Sequence, residues 1–400
     1  MKTAGIVCEY NPFHKGHEYH IAETRKKLGE ETAIICVMSG NFVQRGSIAS
    51  FNKHARAEAA VKCGADLVIE LPLFWSAAPA EKFATGAVSL MESTGVCDYI
   101  SFGSECGDKE KLSEIVDALT DGSIDELIRE ELSKGVTYAK AREAAVEKIT
   151  GVLNPVMNSP NDILGIEYMK AVKKLGSKME PVLIKRKGAE HDGETGTEGY
   201  LSASAIRKLM LSGEKCAEFM PKEAYEIFER ELIAGRGPVD MSACELAVLY
   251  RLRTMSDRDY ESLPENSEGL YKRLMKNGRE KSTVSEVMSD TKSKRYPMSR
   301  IRRMVLNSWL GVTDFDGKGL PPYISVLAMN KRGMEILSEM KEKASLPVVT
   351  KPASAKNLED RAAMVYTKCA RADDIYALCY SEKTQRTGGR TWRQSPVIIK

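Results

Sequence analysis

Short apolar runs alternate with amphipathic segments over the first 200 residues of the chain. The apolar runs lie at residues 5–8, 33–38, 67–71, 99–102 and 181–184. The amphipathic segments, which have apolar residues at helical spacing, lie at 16–28, 53–63, 79–92, 109–120, 123–134, 138–149 and 161–175. Strands that alternate with helices predict a parallel sheet built from βαβ units with right-handed crossovers. Because the runs are almost wholly apolar, we expect helices to cover both faces of that sheet.

The pattern changes at about residue 210, and the rest of the chain is mostly helical. Helices are predicted near 221–232, 241–255, 267–278, 299–310, 330–343 and 357–380, with turns marked by Pro and Gly between them. A chain of 400 residues is long enough for two or three domains. We therefore expect an α/β fold in which a parallel-sheet domain, residues 1–210, is followed by a mostly α-helical domain, residues 211–400.

Composition excludes several classes of protein. With 42% hydrophobic and 29% charged residues, the chain has the make-up of an ordinary soluble globular protein. No apolar run reaches the length of a transmembrane helix, and the first strand lacks the features of a signal peptide. Nine cysteines without a CxxC pair are typical of reduced thiols, so we expect a cytoplasmic protein with no membrane partner.

Charge distinguishes the two halves of the chain. Residues 1–200 include 24 basic and 30 acidic residues, whereas residues 201–400 include 35 basic and 26 acidic ones. The stretch 271–310 has eleven basic against three acidic residues, with Tyr271, Tyr296 and Trp309 between them. Basic groups neutralise phosphates and aromatic rings stack on unpaired bases, so the stretch is compatible with an RNA-binding surface. A solvated helix face is an equally good interpretation.

The segment that joins the first predicted strand to the first predicted helix contains His14, Gly16 and His17. In an open parallel sheet, the ligand crevice lies where strands end and helices begin. The N–H groups and dipole of a helix start suit a phosphate, and Gly16 lets the backbone approach it closely. The alternative is that both histidines face solvent or a carboxylate.

Metal binding by the histidines is not expected. The chain has five histidines, and His14, His17 and His20 are close together in sequence. A zinc site built on these three lacks an obvious fourth ligand. His54 either lines the ligand crevice or covers the start of the next helix.

A second motif follows the fifth predicted strand, at residues 201–207. Ser204 is predicted to cap a helix whose first turn ends with Arg207. A hydroxyl and an arginine at a helix start suit an anionic ligand. An ordinary capped helix would have the same sequence.

Other polar or glycine residues follow the ends of predicted strands or begin helices. Arg45 lies in a loop between two glycines, where it reaches either a phosphate, a carboxylate or solvent. Gly103 either admits a base or ribose against the backbone or serves a turn. Asn161 either caps a helix or reads a nucleotide. Arg186 belongs to a basic cluster after the fifth strand, and the Gly-rich and acid-rich residues 188–199 are typical of a substrate lid.

The pattern His14-x-Gly16-His17 resembles the signature of the HxGH nucleotidyltransferase superfamily, and residues 202–207 resemble its second signature. With further segments, the chain is similar over essentially its whole length to the bacterial tRNA(Met) cytidine acetate ligase family. The further segments are 39–46, 102–105, 159–162, 292–296 and 300–303. The resemblance implies a Rossmann-like catalytic domain followed by a basic helical domain that grips tRNA.

The resemblance also implies an activity. Members of this family activate acetate with ATP as acetyl-adenylate and then acetylate N4 of the wobble cytidine in elongator tRNA(Met), releasing AMP and diphosphate. The implied partners are therefore ATP, acetate and elongator tRNA(Met), with Mg²⁺ as the counter-ion of ATP. Acetate is already a nucleophile at neutral pH, so adenylation needs positioning and charge neutralisation rather than a general base.

The resemblance assigns roles to individual residues. His14, His17 and Arg207 are expected to stabilise the adenylation transition state. The residues expected to bind ATP are Val7, Cys8, Glu9, Tyr10, Asn11, Pro12, Phe13, His14, Lys15, Gly16, His17, Glu18, Tyr19, His20, Gly103, Asn161, Arg186 and Ser204. The residues expected to bind tRNA are Lys294, Arg295, Arg300 and Arg303. Arg302 is expected to point away from the face that Arg300 and Arg303 share, which would give it a structural role.

Two other functions are compatible with parts of the sequence. A small-molecule nucleotidyltransferase that moves AMP onto a phosphorylated metabolite would explain both signatures but not the basic helical half. A non-catalytic RNA-binding protein that retains a nucleotide fold is the third hypothesis. Acetate-dependent pyrophosphate exchange separates the three, because only the ligase catalyses it. The sequence indicates no particular oligomeric state.

Overall fold

The structure of the chain, a computed structural model, describes residues 1–151, 156, 159–186 and 199–400. Its strands are β1 (Thr3–Cys8), β2 (Ala33–Ser39), β3 (Phe42–Val43), β4 (Ser47–Ile48), β5 (Leu67–Leu71), β6 (Tyr99–Ser104), β7 (Glu180–Lys185), β8 (Ile324–Met329), β9 (Val348–Val349) and β10 (Val397–Ile398). Among these strands, β3 and β4 form a separate hairpin and the others form one sheet.

The order of the sheet places β1 at its centre. The strands run β10-β8-β5-β2-β1-β6-β7, with β9 beside β8. The pairings are parallel except that of β5 with β8. From β1 the chain adds β2 and β5 on one side and then returns to add β6 and β7 on the other. The carboxyl end of β1 is therefore a topological switch point, where a ligand crevice is expected.

Helices make up most of the remaining described residues. They are α1 (Lys15–Leu28), α2 (Lys53–Lys62), α3 (Leu73–Ser76), α4 (Ala80–Ser93), α5 (Lys109–Leu119), α6 (Ile124–Ser133), α7 (Tyr138–Thr150), α8 (Pro160–Leu175), α9 (Ala203–Ser212), α10 (Lys222–Ile233), α11 (Glu245–Thr254), α12 (Asp257–Glu261), α13 (Leu270–Glu280), α14 (Val284–Thr291), α15 (Met298–Leu310), α16 (Lys331–Lys343), α17 (Pro352–Ala355) and α18 (Asp360–Ala377). In the part of the chain that is described, none of these helices combines the length and apolar character needed to cross a membrane.

Alternate residues of β2 point into two separate hydrophobic cores. Ile35 and Val37 belong to the core that contains the buried residues of α4 and α8, whereas Ile34 and Cys36 belong to the core of α1, α2 and α10. Every residue of β2 is buried. Burying one large aliphatic side chain stabilises a fold by about 1.5–3 kcal/mol. This packing on both faces fixes the positions of the strand ends that carry the polar residues.

The five predicted strands are confirmed as β1, β2, β5, β6 and β7, and each predicted helix is found near its expected position. The helical half differs from the prediction in several details. The predicted helix 241–255 begins only at Glu245, because Met241–Cys244 form a separate 3₁₀ turn. The helix α14, whose Val287 is buried, was not predicted, and neither were the short helices α12 and α17.

The sheet also contains strands that the sequence analysis missed. The strand β8 pairs antiparallel with β5, and β10 pairs with β8. The sheet that was assigned to residues 1–210 therefore also contains strands from the second half of the chain. Residues 1–210 and 211–400 share this sheet, so the boundary at residue 210 does not divide the sheet from a separate helical bundle. The signal for β8 was present as six consecutive buried apolar or small residues, Ile324–Met329, followed by Asn330, which caps α16.

In the helical half, α11, α13, α14 and α15 pack against one another. Their buried side chains, including Leu252, Leu274 and Ile301, continue the larger core of the sheet. The hairpin of β3 and β4 contacts α15. The basic half therefore meets the carboxyl ends of the central strands through a defined contact rather than through a free linker.

Candidate nucleotide-binding site

The first motif lies where the sequence placed it, between the end of β1 and the start of α1. His14 is the N-cap of α1, and its Nδ1 accepts a hydrogen bond of 3.0 Å from the N–H of Gly16. The Nδ1 of His17 accepts a reciprocal bond of 3.3 Å from the N–H of His14. The two rings stack with centroids 3.8 Å apart. The histidines therefore form a capping box from two imidazoles, a geometry in which each side chain binds one orphan N–H of the helix start.

The capping bonds fix the tautomer of both rings. Because each Nδ1 accepts a hydrogen bond, each neutral ring carries its proton on Nε2. The Nε2–H groups of His14 and His17 are then the donors left for a ligand. Gly16 makes this arrangement possible, since a Cβ at that position would lie 2.9 Å from Cε1 of His14. Gly16 therefore leaves space for the His14 ring rather than only for a ligand.

The environment keeps both imidazoles neutral. Burial lowers the pKa of His14 to about 3, and the charges of Arg186 and Arg207 act in the same direction. Burial also lowers the pKa of His17 well below its usual value, with smaller effects from His14 and Arg186. At neutral pH the two side chains are therefore uncharged donors, and the positive charge of the site comes from the arginines.

Arg207 connects the second motif to the first. Its Nη1 donates a hydrogen bond of 2.6 Å to the carbonyl of Asn11, and its Nη2 donates one of 3.1 Å to Oγ of Ser204. Burial lowers the pKa of Arg207, and the charge of Glu9 partly offsets this. The start of α9 is thus held beside the start of α1, so two helix N-termini converge on the same place.

The cap of α9 differs from the prediction. The N-cap is Ser202, whose Oγ accepts a hydrogen bond of 3.2 Å from the N–H of Ala205. The prediction that Ser204 caps this helix is wrong, because Ser204 lies inside the first turn and accepts from Arg207 instead. Both hydroxyls are exposed, so Ser204 remains available as a candidate ATP contact.

The residues after β6 and at the start of α8 form the other side of the site. Gly103 lies beside Arg186, since a Cβ on Gly103 would be 3.4 Å from Cγ of Arg186. The Nδ2 of Asn161 donates a hydrogen bond to Oε1 of Glu105, and Nε of Arg186 lies 3.9 Å from the same oxygen. Asp162 is fully buried and accepts from the backbone N–H of Glu105 at 3.1 Å. Asn161 is therefore occupied as a donor to a carboxylate and does not cap α8.

The remaining residues of 7–20 divide into buried supports and accessible groups. Tyr10 and Phe13 are buried with their ring centroids 4.8 and 5.5 Å from that of His17. His20 is bound at Nε2 to Oγ of Ser101 at 3.0 Å. Partial burial raises the pKa of Glu18, and the charge of Glu223 in α10 acts in the same direction. Val7, Cys8, Glu9, Asn11, Pro12, Lys15 and Tyr19 complete the segment around the motif.

One supporting residue was missed by the sequence analysis. Arg56 is completely buried in α2, and it donates hydrogen bonds to the carbonyls of Glu9, at 2.5 Å, and Ser39, at 3.1 Å. It also donates to the carbonyl of Gly40. Arg56 therefore ties the end of β1 to the end of β2. Its only sequence signal was a lone arginine within an alanine-rich helix.

Two of the four predicted tRNA contacts, Arg300 and Arg303, already have partners within the protein. Arg303 has a side chain only 6% exposed, and its guanidinium lies against the carboxylate of Glu265 at 2.6 and 2.7 Å. Arg300 is likewise occupied by the carbonyl of Glu265 and the carboxylate of Glu268. These partners would have to be displaced before either guanidinium could bind an RNA phosphate, so their role as tRNA contacts stays a prediction. Arg302, which the sequence analysis set aside, is exposed between them.

Two of the predicted tRNA contacts keep accessible side chains. Lys294 is exposed, and the side chain of Arg295 is 68% exposed with a distant ion pair of 3.6 Å to Glu268. The aromatic residues of the basic stretch are less accessible, because Tyr296 and Trp309 are buried. Base stacking on these two rings is therefore not supported.

A cavity of about 330 Å³ lies away from the His14–His17 motif. It is bounded by the buried Lys53, which pairs with Glu70 at 2.7 Å and with Asp373 at 2.6 Å, and by His54. His54 therefore belongs to this cavity and not to the motif. The predicted lid, residues 188–199 with His191 and Asp192, lies outside the described residues except for Gly199.

The neutral histidines predict a specific response of stability to pH. Burial lowers the pKa of His54 to about 3 and that of His20 to about 4. Below pH 6.5 the histidines are protonated in the unfolded chain but not in the folded chain, so acidification towards pH 4 favours unfolding. For each histidine, the free energy of unfolding falls by up to about 1.4 kcal/mol for each pH unit. Urea midpoints at pH 7.5, 6.5 and 5.5 should fall in that order, and less steeply in His54→Gln. If the urea midpoints of the wild type and His54→Gln fell equally with pH, His54 would not be a buried neutral histidine.

Comparison with known proteins gives matches over almost the whole chain. The model of a family described as HIGH nucleotidyl transferase matches residues 1–391. A tRNA(Met) cytidine acetate ligase from Caldanaerobacter subterraneus is 41% identical over 392 residues, which cover 95% of this chain and 96% of that protein. A protein of the same name from Acetivibrio thermocellus is 36% identical over 416 residues and covers 100% of both chains.

Solved structures match over the whole chain as well. The crystal structure of Thermotoga maritima TmcAL in its apo form has a TM-score of 0.94, 34% sequence identity and 100% coverage of both chains. The same protein bound with alpha-thio ATP has a TM-score of 0.92 at the same identity and coverage. These similarities support the ligase hypothesis and give no support to the small-molecule nucleotidyltransferase.

Proposed function

The chain belongs to the tRNA(Met) cytidine acetate ligase family of HIGH nucleotidyl transferases, and we propose that it acetylates N4 of the wobble cytidine of elongator tRNA(Met) with ATP and acetate. The observation that carries the proposal is the convergence of two helix N-termini, two neutral imidazoles and Arg207 at the end of β1. Such a set of N–H donors and positive charge suits the phosphates of a nucleotide.

In the first step, an oxygen of acetate attacks the α-phosphorus of ATP. The bond from this phosphorus to the bridging oxygen breaks, and diphosphate leaves with its electron pair. The Nε2–H groups of His14 and His17 donate to phosphate oxygens as charge shifts to the leaving group, and Arg207 and Arg186 neutralise that charge. Donors that are already fixed by capping bonds and packing need little reorganisation, which favours stabilisation of the transition state.

Mg²⁺ would enter with ATP. Within the described ranges, no three His, Cys, Asp or Glu side chains group together as a metal cage. Magnesium commonly keeps several waters and is held by substrate phosphates and one or two carboxylates, and such an ion neutralises phosphate charge. Glu9, whose charge acts on Arg207, is the candidate for a protein carboxylate.

In the second step, the N4 amine of cytidine attacks the carbonyl carbon of acetyl-adenylate. The bond to the phosphate oxygen breaks, AMP leaves with the electron pair, and N4 loses a proton to water or to a nearby acceptor. This step requires the anticodon loop to reach the site next to β1. We propose that the helical half holds the tRNA there, with exposed Lys294 and Arg295 among the contacts. A tRNA substrate and free thiols are consistent with a reaction in the cytoplasm.

The decisive experiment is nucleoside analysis of elongator tRNA(Met) incubated with the protein, ATP and labelled acetate. We expect label in N4-acetylcytidine and release of AMP. Pyrophosphate exchange into ATP, measured without tRNA, should require acetate. Binding of tRNA with neither exchange nor acetylation would instead favour a non-catalytic RNA-binding protein, and exchange only with a phosphorylated metabolite would favour the other transferase.

Replacing Arg207 should weaken the binding of ATP. A hydrogen bond to a charged group contributes about 1.5–3 kcal/mol, so Arg207→Ala is expected to raise the Kd for ATP roughly 10- to 150-fold in calorimetry. Arg207→Lys keeps the charge but cannot bridge Asn11 and Ser204, so we expect an intermediate Kd. If Arg207→Ala bound ATP with the wild-type Kd, Arg207 would not contact ATP, and its role would be to hold α9 against Asn11.

A further inference from the structure

The hairpin of β3 and β4 lies beside the nucleotide site and carries an arginine at its tip. The N–H of Gly46 bonds to the carbonyl of Val43 at 2.9 Å, so Gln44 and Arg45 occupy the centre of a tight turn. Arg45 is exposed, whereas the strand residues Phe42, Val43 and Ile48 are buried. The apolar strands therefore anchor the hairpin, and its tip directs a guanidinium to the surface.

The tip of the hairpin is seated directly on α15. A Cβ at Gly46 would lie 2.3 Å from the backbone nitrogen of Arg303 and 2.9 Å from Cβ of Arg302, and Gly46 has a φ of +76°. Only glycine fits such a contact in this conformation. The Nη1 of Arg303 also donates to the carbonyl of Gln44 at 3.4 Å. Arg45 and Arg302 are thus neighbours across the contact between the hairpin and the helical half.

The same hairpin is connected to the nucleotide site. The N–H of Gln44 donates a hydrogen bond of 2.9 Å to Oε1 of Glu9, which directly follows β1. Arg45 is also close enough to Arg207 for its charge to lower the pKa of that side chain. Positive charge therefore extends from Arg207 through Arg45 to Arg302. Within the described part of the chain, the side chains of Arg45 and Arg302 have no hydrogen-bonding or ion-pair partner.

The exposed guanidiniums of Arg45 on the hairpin and Arg302 on α15 differ from those of the other two arginines of α15. Arg300 and Arg303 are neutralised by Glu265 and Glu268, so they hold the fold together. Arg45 and Arg302 are exposed on the hairpin and on α15, and the hairpin is bonded through Gln44 to Glu9 at the nucleotide site. When a cytidine of an RNA binds at the nucleotide site, the backbone phosphates on either side of it lie nearby. Arginine forms strong hydrogen bonds with phosphate.

We propose that Arg45 and Arg302 bind the RNA phosphates next to the nucleotide that is acetylated, and so bridge the catalytic site and the helical half. The inference rests on the proposed function and extends it to two positioning residues. They hold the RNA and take no part in forming acetyl-adenylate. Removing either one should therefore affect the transfer step and leave adenylation intact.

The test compares Arg45→Gln, Arg302→Gln and the double variant with the wild type and with Arg129→Gln. Arg129 is an exposed arginine on α6, which packs on α7, and serves as the matched control for loss of one surface charge. For each protein we would measure acetate-dependent pyrophosphate exchange without tRNA, kcat and KM for tRNA acetylation, and the salt dependence of tRNA binding on filters.

Each single variant is expected to raise KM for tRNA about tenfold, as loss of one charge-assisted contact does. Each single variant should also reduce the magnitude of the slope of log affinity against log salt concentration by about 0.7, and the double variant should reduce it by about 1.4. Exchange should stay at the wild-type rate, and Arg45→Lys should recover part of the affinity. Arg129→Gln should resemble the wild type in every measurement.

Other results would overturn the proposal. Unchanged KM and salt slope in both variants would show that no RNA phosphate contacts these residues. A fall in exchange for Arg45→Gln with normal tRNA binding would assign Arg45 to ATP. If the wild type binds tRNA but does not exchange or acetylate, the proposed function fails, and the salt slopes still decide whether the two arginines bind RNA.

Discussion

Replacing His14 by asparagine is expected to slow acetate-dependent pyrophosphate exchange by about 10²-fold or more, which is the typical loss when one preorganised donor to a developing charge is removed. The Nε2–H of His14 is free because Nδ1 is bound to the N–H of Gly16. Asparagine is a good N-cap residue and can accept the same bond, but it cannot place a donor where Nε2 lies. The variant therefore separates catalysis from helix capping.

The matched variant His14→Ala removes both functions of the side chain. It should lose exchange to the same extent and also destabilise the protein by about 1 kcal/mol, the usual cost of losing an N-cap. The melting temperature of His14→Asn should remain near that of the wild type. Exchange close to the wild-type rate in His14→Asn would mean that the imidazole serves only the start of α1.

The strand-to-helix connection could be predicted because its signals are local. The apolar run of β1, the turn residues Asn11 and Pro12 and the amphipathic pattern of α1 all lie within about 30 residues, and each favours the same structure. The position of His14 and His17 at a helix start follows directly. Their mutual capping does not, because it depends on ring orientations that no residue spacing specifies.

The first residue of α9 could not be predicted, because the segment before the helix contains two serines that are both suitable N-caps. Ser202 and Ser204 are both good N-cap residues, and both are followed by helix-compatible residues. The helix starts at Ala203, and from its first turn Arg207 donates a hydrogen bond to the carbonyl of Asn11. That contact joins residues 196 positions apart and has no local signal in the sequence.

The strand β8 was missed for a related reason. A run of six apolar or small residues fits a buried strand or part of a buried helix, and its surroundings in the chain are helical. Its pairing with β5 joins Ile324–Met329 to residues more than 250 positions earlier. Partner choice over such a distance is set by the packing of the whole sheet.

Removal of Arg303 is expected to have the largest effect on stability among the variants of α15. Breaking a buried ion pair by truncating one partner leaves an uncompensated charge, at a cost of about 3–5 kcal/mol. In Arg303→Met, the carboxylate of Glu265, whose side chain is only 16% exposed, would lose both of its short contacts with the guanidinium. Urea unfolding should therefore show a clearly lower midpoint, together with weaker docking of the hairpin through Gln44.

Two further variants distinguish a broken ion pair from a general effect of substitution in α15. Arg302→Met changes the neighbouring exposed residue and should alter stability by less than about 0.5 kcal/mol. The double variant Arg303→Met/Glu265→Gln removes the unpaired charge and should recover much of the stability lost in the single variant. Equal destabilisation by Arg302→Met and Arg303→Met would contradict the structural role of Arg303, as would a double variant no more stable than Arg303→Met. The expected pattern would place neighbouring arginines of one helix in different roles, because Glu265 neutralises Arg303 and leaves Arg302 charged at the surface.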